Sequence, residues 1–243
     1  MWWRRLLAAL ALAGLVAAGY LMWLRDSSLV EVRDVKVAGL SGPEEAEIEG
    51  ALEGAALRMT TLHVRLDDLV AAVREYPVVE SLRVSTDFPH GLEITVTERR
   101  PVAVVSTGSG EVAVSDDGIL LPTVATEDAH LPAIEGEADE SAVRLEGSAA
   151  EQAEVLGAAP EPLRPVIEGA AVSSEGVEVQ LDGGISLRFG DASQAAAKWA
   201  AASRILADPG LQSLAYIDLS SPSRPAVGGA VPATEQAEVS PLG

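Results

Sequence analysis

Apolar positions along this chain fall into one long unbroken run followed by segments of period 3.6 and period 2. Leu6 to Leu24 (LLAALALAGLVAAGYLMWL) holds 19 residues without a charge. Leu29 to Val37 alternates imperfectly and predicts a strand closed by Gly39. Ser41-Gly42-Pro43-Glu44 then reads as a helix start, with Ser41 as N-cap, Glu44 completing a capping box and Pro43 tolerated in the first turn. Ile48, Ala51, Leu52 and Ala55 follow at helical spacing. Leu69, Val70 and Val73 predict a second, short helix over Asp67–Glu75, stopped by Pro77. Two strands, Val78–Ser85 and Gly91–Thr97, complete the order strand, helix, helix, strand, strand. Both helices can cover one face of a three-stranded sheet, which makes a two-layer α+β unit.

The last of those strands runs into Glu98-Arg99-Arg100-Pro101, and a new apolar run, Val102–Val105, starts at once. Either this is a turn inside one sheet or it is a seam between two domains. Proline has no N–H to give to a ladder, so Pro101 favours the seam. Beyond it, Val102–Ser106 and Glu111–Ser115 predict a hairpin, Asp116-Asp117-Gly118 turns into Ile119–Leu121, and Leu131–Gly136 follows a polar, acidic loop. Gly147–Gly157 is an Ala-rich helix that ends before Pro160. Val166–Ser173, Gly176–Leu181 and Ile185–Phe189 are strands, the last two joined by Asp182-Gly183-Gly184. Asp191 is expected to cap a helix with Ala195, Trp199, Ala202 and Leu206 on one face, and Ala215–Leu219 is the last strand. The Pro/Gly/Ser-rich remainder, 221–243, reads as a disordered tail.

At ~1.5 Å per residue the Leu6–Leu24 run reaches about 28 Å, close to the ~30 Å hydrocarbon core of a bilayer. Trp2 and Trp3 at one end, and Tyr20 and Trp23 at the other, suit the two interfaces. Residues 1–5 would then be a short cytoplasmic tail, held inside by Arg4 and Arg5, with everything after Asp26 extracytoplasmic. A cleaved signal peptide is the alternative, because Val16-Ala17-Ala18 resembles a cleavage site, although the apolar run continues past it. Charge is lopsided, with 37 acidic against 17 basic residues and a net −20. Such a chain is repelled by nucleic acid and by anionic headgroups, so charge alone would attract only basic partners. The absence of cysteine excludes disulfides and thiolate metal sites.

Little chemistry is visible. His63, His90 and His130 are isolated in sequence, and Asp116-Asp117-Gly118 lacks the further ligands of a calcium loop and reads as a turn. The glycines form no phosphate-binding loop leading into a helix. Lys198 is expected to pair with a nearby carboxylate and Trp199 to lie in the core. Arg99 and Arg100 either touch a partner or solvate a strand end. No catalytic, cofactor or metal residues are assigned. The sharpest feature is Tyr216-Ile217-Asp218-Leu219: as a sheet edge it can accept a strand from another protein, and as an internal strand it cannot.

The element order, together with Val35-x-Val37-x-Gly39, Pro77, and the motif from Phe88 to Ala103 (FPHGLEITVTERRPVA), resembles a POTRA domain of the kind found in the FtsQ/DivIB family of bacterial division proteins. LRFG (Leu187–Gly190), Lys198 and YIDLSSPSRPAV (Tyr216–Val227) resemble the closing elements of that family's second, β-rich domain. The resemblance implies an α+β chain: a transmembrane helix at 6–24, a POTRA domain at 29–98 and a C-terminal β-domain at 101–220. Glu98, Arg99, Arg100 and Pro101 form the junction. It implies a non-enzymatic, cofactor-free, single-pass membrane scaffold at the division septum, linking early and late division proteins. Through Tyr216, Ile217, Asp218, Leu219, Ser220, Ser221, Ser223, Arg224 and Pro225 it would hold an FtsB/FtsL-type complex and so help control septal peptidoglycan synthesis. No nucleic acid or small-molecule substrate is expected. Family members often carry an arginine where Ser220 stands. A POTRA-containing export factor, handing substrates to a membrane partner, and an extracytoplasmic enzyme are the rival readings. The first is weakened by a single POTRA unit, the second by the missing site.

Overall fold

A computed structural model describes residues 2–20, 25, 27–126, 130–208 and 214–229. The chain divides into two compact units, Met1–Arg99 and Arg100–Gly243. The first begins with α1 (Trp2–Gly19), whose leucines 6, 7, 10, 12 and 15 are exposed. Of the expected Leu6–Leu24 span, 21–24 lie outside the described residues. Among the described residues no helix is long and apolar enough to cross a membrane.

The remainder of this unit is β1 (Asp34–Ala38), α2 (Glu45–Ala56), α3 (Leu66–Ala72), β2 (Val79–Asp87) and β3 (Gly91–Glu98). The sheet order is β1-β3-β2, with β1 parallel and β2 antiparallel to the central β3. Period-two alternation on β3 buries Leu92, Ile94 and Val96, while α2 buries Ile48, Leu52, Ala55 and Ala56 and α3 buries Leu69. Gly39 ends β1 at φ +90, and a Cβ there would stand 2.2 Å from the Val96 carbonyl oxygen, so the closing glycine of the Val-x-Val-x-Gly stretch is a steric necessity.

Three local expectations are corrected. Strand β1 starts at Asp34, because Val30 and Val32 are instead laced to the loop after α2, through Val32 N–H to Met59 O (3.1 Å) and Thr61 N–H to Val30 O (2.8 Å). No capping box forms at Ser41: the residue preceding α2 is Glu44, with no side-chain cap, and Ser41 donates instead to the Glu98 carboxylate. Helix α3 spans Leu66–Ala72 and so stops short of Glu75.

Among the described residues the second unit is one nine-stranded sheet with two α-helices and a short 3-10 turn at Arg164–Val166. Its strands are β4 (Pro101–Thr107), β5 (Gly110–Ser115), β6 (Leu120–Leu121), β7 (Ala133–Ala138), β8 (Ile167–Ser173), β9 (Gly176–Leu181), β10 (Ile185–Gly190), β11 (Tyr216–Asp218) and β12 (Ala226–Gly228). They are ordered β12-β11-β10-β9-β8-β7-β4-β5-β6. Helix α4 (Gly147–Gly157) precedes β8, and α5 (Ala195–Leu206) lies between β10 and β11, which pair in parallel. The Trp199 indole N–H donates to the Val155 carbonyl at 2.7 Å and its ring tilts against Phe189, centroids 5.0 Å apart. Such a contact adds about 0.5–1.5 kcal/mol to the burial of the rings. Gln152 of α4, wholly buried, is satisfied by the backbone of Glu135 on β7, accepting from its N–H (3.0 Å) and donating to its carbonyl (3.2 Å). The expected Asp191 cap is also corrected. The residue before α5 is Gln194, in the left-handed region at φ 55, and the Asp191 side chain faces Ser193 and Lys198.

Candidate functional site

The residues with potential for chemistry are absorbed by local structure. His90 Nδ1 lies 2.9 Å from the Glu31 carbonyl, and His63 accepts from Arg25. His130 lines a 50 Å³ cavity with Pro101, Leu156 and Ile167. Asp116-Asp117-Gly118 is a tight turn, in which Gly118 (φ +78) donates to Ser115 O at 2.9 Å and Asp117 accepts the Ser115 hydroxyl. Among the described residues, no group of three or more His, Asp or Glu side chains can hold a metal ion. Lys198, 2% exposed, meets Asp191 Oδ1 at 2.8 Å and Asp191 O at 3.0 Å. Its ammonium hydrogen bond, then the Ser193 hydroxyl, lower the Asp191 pKa to about 2.

At the junction, Glu98 is held by Ser41. Arg99 turns back, its N–H donating to Val78 O (2.8 Å) and its guanidinium to Pro77 O (2.6 Å) and Val79 O. Arg100 is exposed, and Pro101 opens β4 opposite Ser115.

The Tyr216–Leu219 segment is not the last strand of its sheet. β11 is paired on both sides, parallel to β10 (Ser186↔Tyr216, Leu187↔Ile217, Arg188↔Asp218) and antiparallel to β12 (Tyr216↔Gly228, Ile217↔Val227, Asp218↔Ala226). Ile217 and Leu219 are fully buried, and Leu219 N–H is spent on Arg188 O at 2.8 Å. The expectation of a free edge at Tyr216–Leu219 is therefore corrected, as is that of disorder from residue 221 onward: 221–229 carry a hairpin and an added strand, and 230–243 lie outside the described residues. The hairpin is shaped by Asp218, which accepts from the Ser220 N–H (2.9 Å) and hydroxyl. These bonds, the hydroxyl first, lower the Asp218 pKa, and the positive charge of Arg188 contributes. Ser221, Ser223, Arg224 and Pro225 are exposed on the turn, where Arg224 N–H donates to Ser221 O at 3.0 Å.

Sheet order makes β12 the edge, and among the described residues no strand pairs with its outer side. Sequence reasoning missed it because Ala226-Val227-Gly228 is short, follows Pro225, and has only one β-branched residue. It also missed the support beneath. The Tyr216 ring covers Gly228 so closely that a Cβ there would stand 2.2 Å from Tyr216 Cε1. Arg188 stacks over that ring at 4.2 Å from the centroid and reaches Glu175 at 3.2 Å. The edge strand thus rests on an aromatic ring that is itself clamped by a cation.

Residues 30–99 match the family of FtsQ-type POTRA domains, and residues 103–220 match the C-terminal domain of cell division protein FtsQ/DivIB. Among curated proteins, the chain is 34% identical over 131 residues to the cell division protein FtsQ of Streptomyces venezuelae, covering 53% of this chain and 47% of that one. It is 36% identical over 130 residues to the FtsQ of Anaeromyxobacter sp., covering 47% and 43%. With the FtsQ of Streptomyces coelicolor it shares 26% identity over 237 residues, covering 93% and 88%. The matched part therefore spans less than half the length of the first two relatives and most of the third. Two consecutive family matches, in the order and at the positions of the two folded units, show that the chain belongs to the FtsQ/DivIB family of cell division proteins.

Proposed function

We propose that this cell division protein acts as a non-catalytic, single-pass membrane scaffold of the septal machinery, and that the outer edge of β12 takes a strand from an FtsB-like subunit of an FtsB/FtsL-type complex. In this reading Leu6–Leu24 is a retained anchor, the POTRA domain serves recruitment, and docking on the β-domain helps set when septal peptidoglycan synthesis starts. Residues Tyr216–Pro225 contribute as the strand and hairpin that hold β12 in place, with Ser221, Ser223 and Arg224 at the rim. The observation that carries the proposal is the position of β12 at the end of the nine-stranded sheet. An unpaired row of N–H and C=O groups is a template for strand addition, in which backbone bonds supply affinity and flanking side chains supply selectivity.

Proline scanning of β12 tests this, because proline removes one donor and alternate residues of an edge strand point their N–H outward. Val227→Pro is compared with Ala226→Pro and Gly228→Pro in the full-length chain, by co-purification with an FtsB/FtsL-type complex from the same cells. Either Val227→Pro or the flanking pair should abolish capture while the fold survives by circular dichroism. Normal capture by all three variants would move the function to another surface.

A further inference from the structure

The POTRA domain has two unlike poles. β3 begins at Gly91, in the turn after Phe88-Pro89-His90, and ends at Glu98. At ~3.3 Å per residue those ends stand about 23 Å apart. At the Glu98 pole the carboxylate is bonded to Ser41, just ahead of α2, whose start carries Glu44, Glu45, Glu47 and Glu49. At the other pole three segments are tied together. Thr60 Oγ1 donates to Arg25 O (2.6 Å), Thr61 N–H to Val30 O (2.8 Å), Thr61 Oγ1 to Pro89 O (2.9 Å) and Arg33 N–H to His90 O (2.9 Å). Arg25 follows Leu24 directly, so the apolar N-terminal segment is joined to the domain at this pole.

Large apolar side chains gather on the same pole. Five are exposed among the described residues of 27–99: Leu29 (59%), Leu57 (41%), Leu66 (47%), Val70 (48%) and Phe88 (65%). Leu29 and Phe88 belong to the tied segments, Leu57 ends α2 and Leu66 begins α3, with Val70 one turn along. A 330 Å³ groove lined by Ser28, Glu31, Leu57, Arg58 and Arg65 opens there. The segments that meet here carry Arg25, Arg33, Arg58 and Arg65 against Asp26, Glu31, Asp34, Asp67, Asp68 and Asp87, so this pole is far closer to charge balance than the chain as a whole, at net −20. The general repulsion from membranes expected from the total charge is therefore weakest where the apolar residues are.

We propose that this pole lies in the interfacial layer of the bilayer that holds the anchor, with Leu29, Leu57, Leu66 and Phe88 seated among the headgroups and the four arginines at the depth of the lipid phosphates. The proposal rests on the reading of Leu6–Leu24 as a retained anchor. Apolar side chains flanked by arginine suit a shallow insertion of ~5–10 Å. Near charge balance means that seating does not require anionic lipid. The POTRA domain is then held in one orientation, with its acidic pole outward.

The absence of native cysteine permits a direct test. Full-length chain carrying a single labelled cysteine at Phe88→Cys, Leu29→Cys or Glu45→Cys is reconstituted in phosphatidylcholine vesicles with a nitroxide on the headgroup. Leu12→Cys with an acyl-chain nitroxide reports on the anchor separately. The fluorophores at Phe88 and Leu29 should be quenched several-fold more than that at Glu45, and adding Leu57→Asp and Leu66→Asp should remove the difference. Equal quenching at Phe88 and Glu45, with Leu12 quenched, overturns the seating and leaves the anchor standing. Unquenched Leu12 overturns both. Quenching at Phe88 that survives the two aspartates also overturns the seating, because the tether alone then explains it. A Phe88 label free in vesicles but shielded in native membranes assigns the pole to a protein partner instead.

Discussion

At one end of the nine-stranded sheet, β6 meets a second segment of its own chain. Leu120 N–H donates to Val143 O (3.0 Å), Leu145 N–H donates to Gly118 O (2.8 Å), and Ile119 bridges Arg144. At the other end, β12 meets no further strand among the described residues. The covered end is also the more apolar, since Leu120, Leu121 and Leu145 are all buried, whereas Val227 is 43% exposed. Covering an edge suppresses unwanted pairing. Among the described residues a connecting loop covers one end of the sheet and nothing pairs with the other. What separates the ends is how each is supported among the described residues: β6 by a loop from the same unit, β12 by β11 and the Tyr216 ring.

The largest effect should come from the core shared by both ends. Trp199→Ala removes a buried indole, its bond to Val155 and its contact with Phe189. A loss of about 3–5 kcal/mol is expected, measured by chemical denaturation of the detergent-solubilised chain, with partner capture and the β6 end lost together. A loss below about 1 kcal/mol would mean that the core is not organised around this residue. Next in size is Ile217→Pro, on a strand flanked on both sides, which should destabilise the domain where one of the β12 prolines does not. If Ile217→Pro melts no earlier than those variants, β11 is not interior and the difference between the ends collapses.

Smaller and confined effects follow from two glycines. Gly228→Ala drives a methyl into the Tyr216 ring and should cost about 1–3 kcal/mol, with weaker docking. Gly118→Ala, at φ +78 in the β6-end turn, should cost about 1–2 kcal/mol and leave docking intact. Equal docking losses would show that the ends are coupled. Acid titration gives the smallest expected effect. Asp191 is held at a pKa of about 2, against ~3.9 in an unfolded chain. Its stabilisation is therefore complete above about pH 4 and declines as pH falls toward 2. Asp191→Asn should flatten that acid limb of a thermal-melting profile, and an unchanged limb would mean that the bond to Lys198 contributes nothing.

Strong periodicity and turn chemistry made most of the architecture readable. Leu92, Ile94 and Val96 marked the buried face of β3, the bounds of α4 were legible from Gly147 and the prolines after Gly157, and Asp182-Gly183-Gly184 announced the β9–β10 hairpin. The starts of α2 and α5 were not legible, because Ser41 and Asp191 have stronger partners elsewhere, Glu98 and Lys198, that no local pattern reveals. The edge was misplaced by one strand for a related reason. Ala226-Val227-Gly228 has little intrinsic strand preference, and it pairs because Ile217 and Leu219 fix β11 in the core and Tyr216 covers a glycine. Tertiary context made that strand, and local sequence carries no record of it.

Between β10 and β11 the chain leaves the sheet, forms α5, and returns in the parallel sense. A parallel return cannot close through a short turn: the crossover helix has to find its place on the core first. β11, and β12 through it, are therefore expected to form late in the folding of this chain. A copy stalled or cleaved within α5 retains β4 to β10 yet offers no hairpin for a partner to extend. Recruitment through β12 would thus double as an inspection step, admitting only copies whose final crossover has closed.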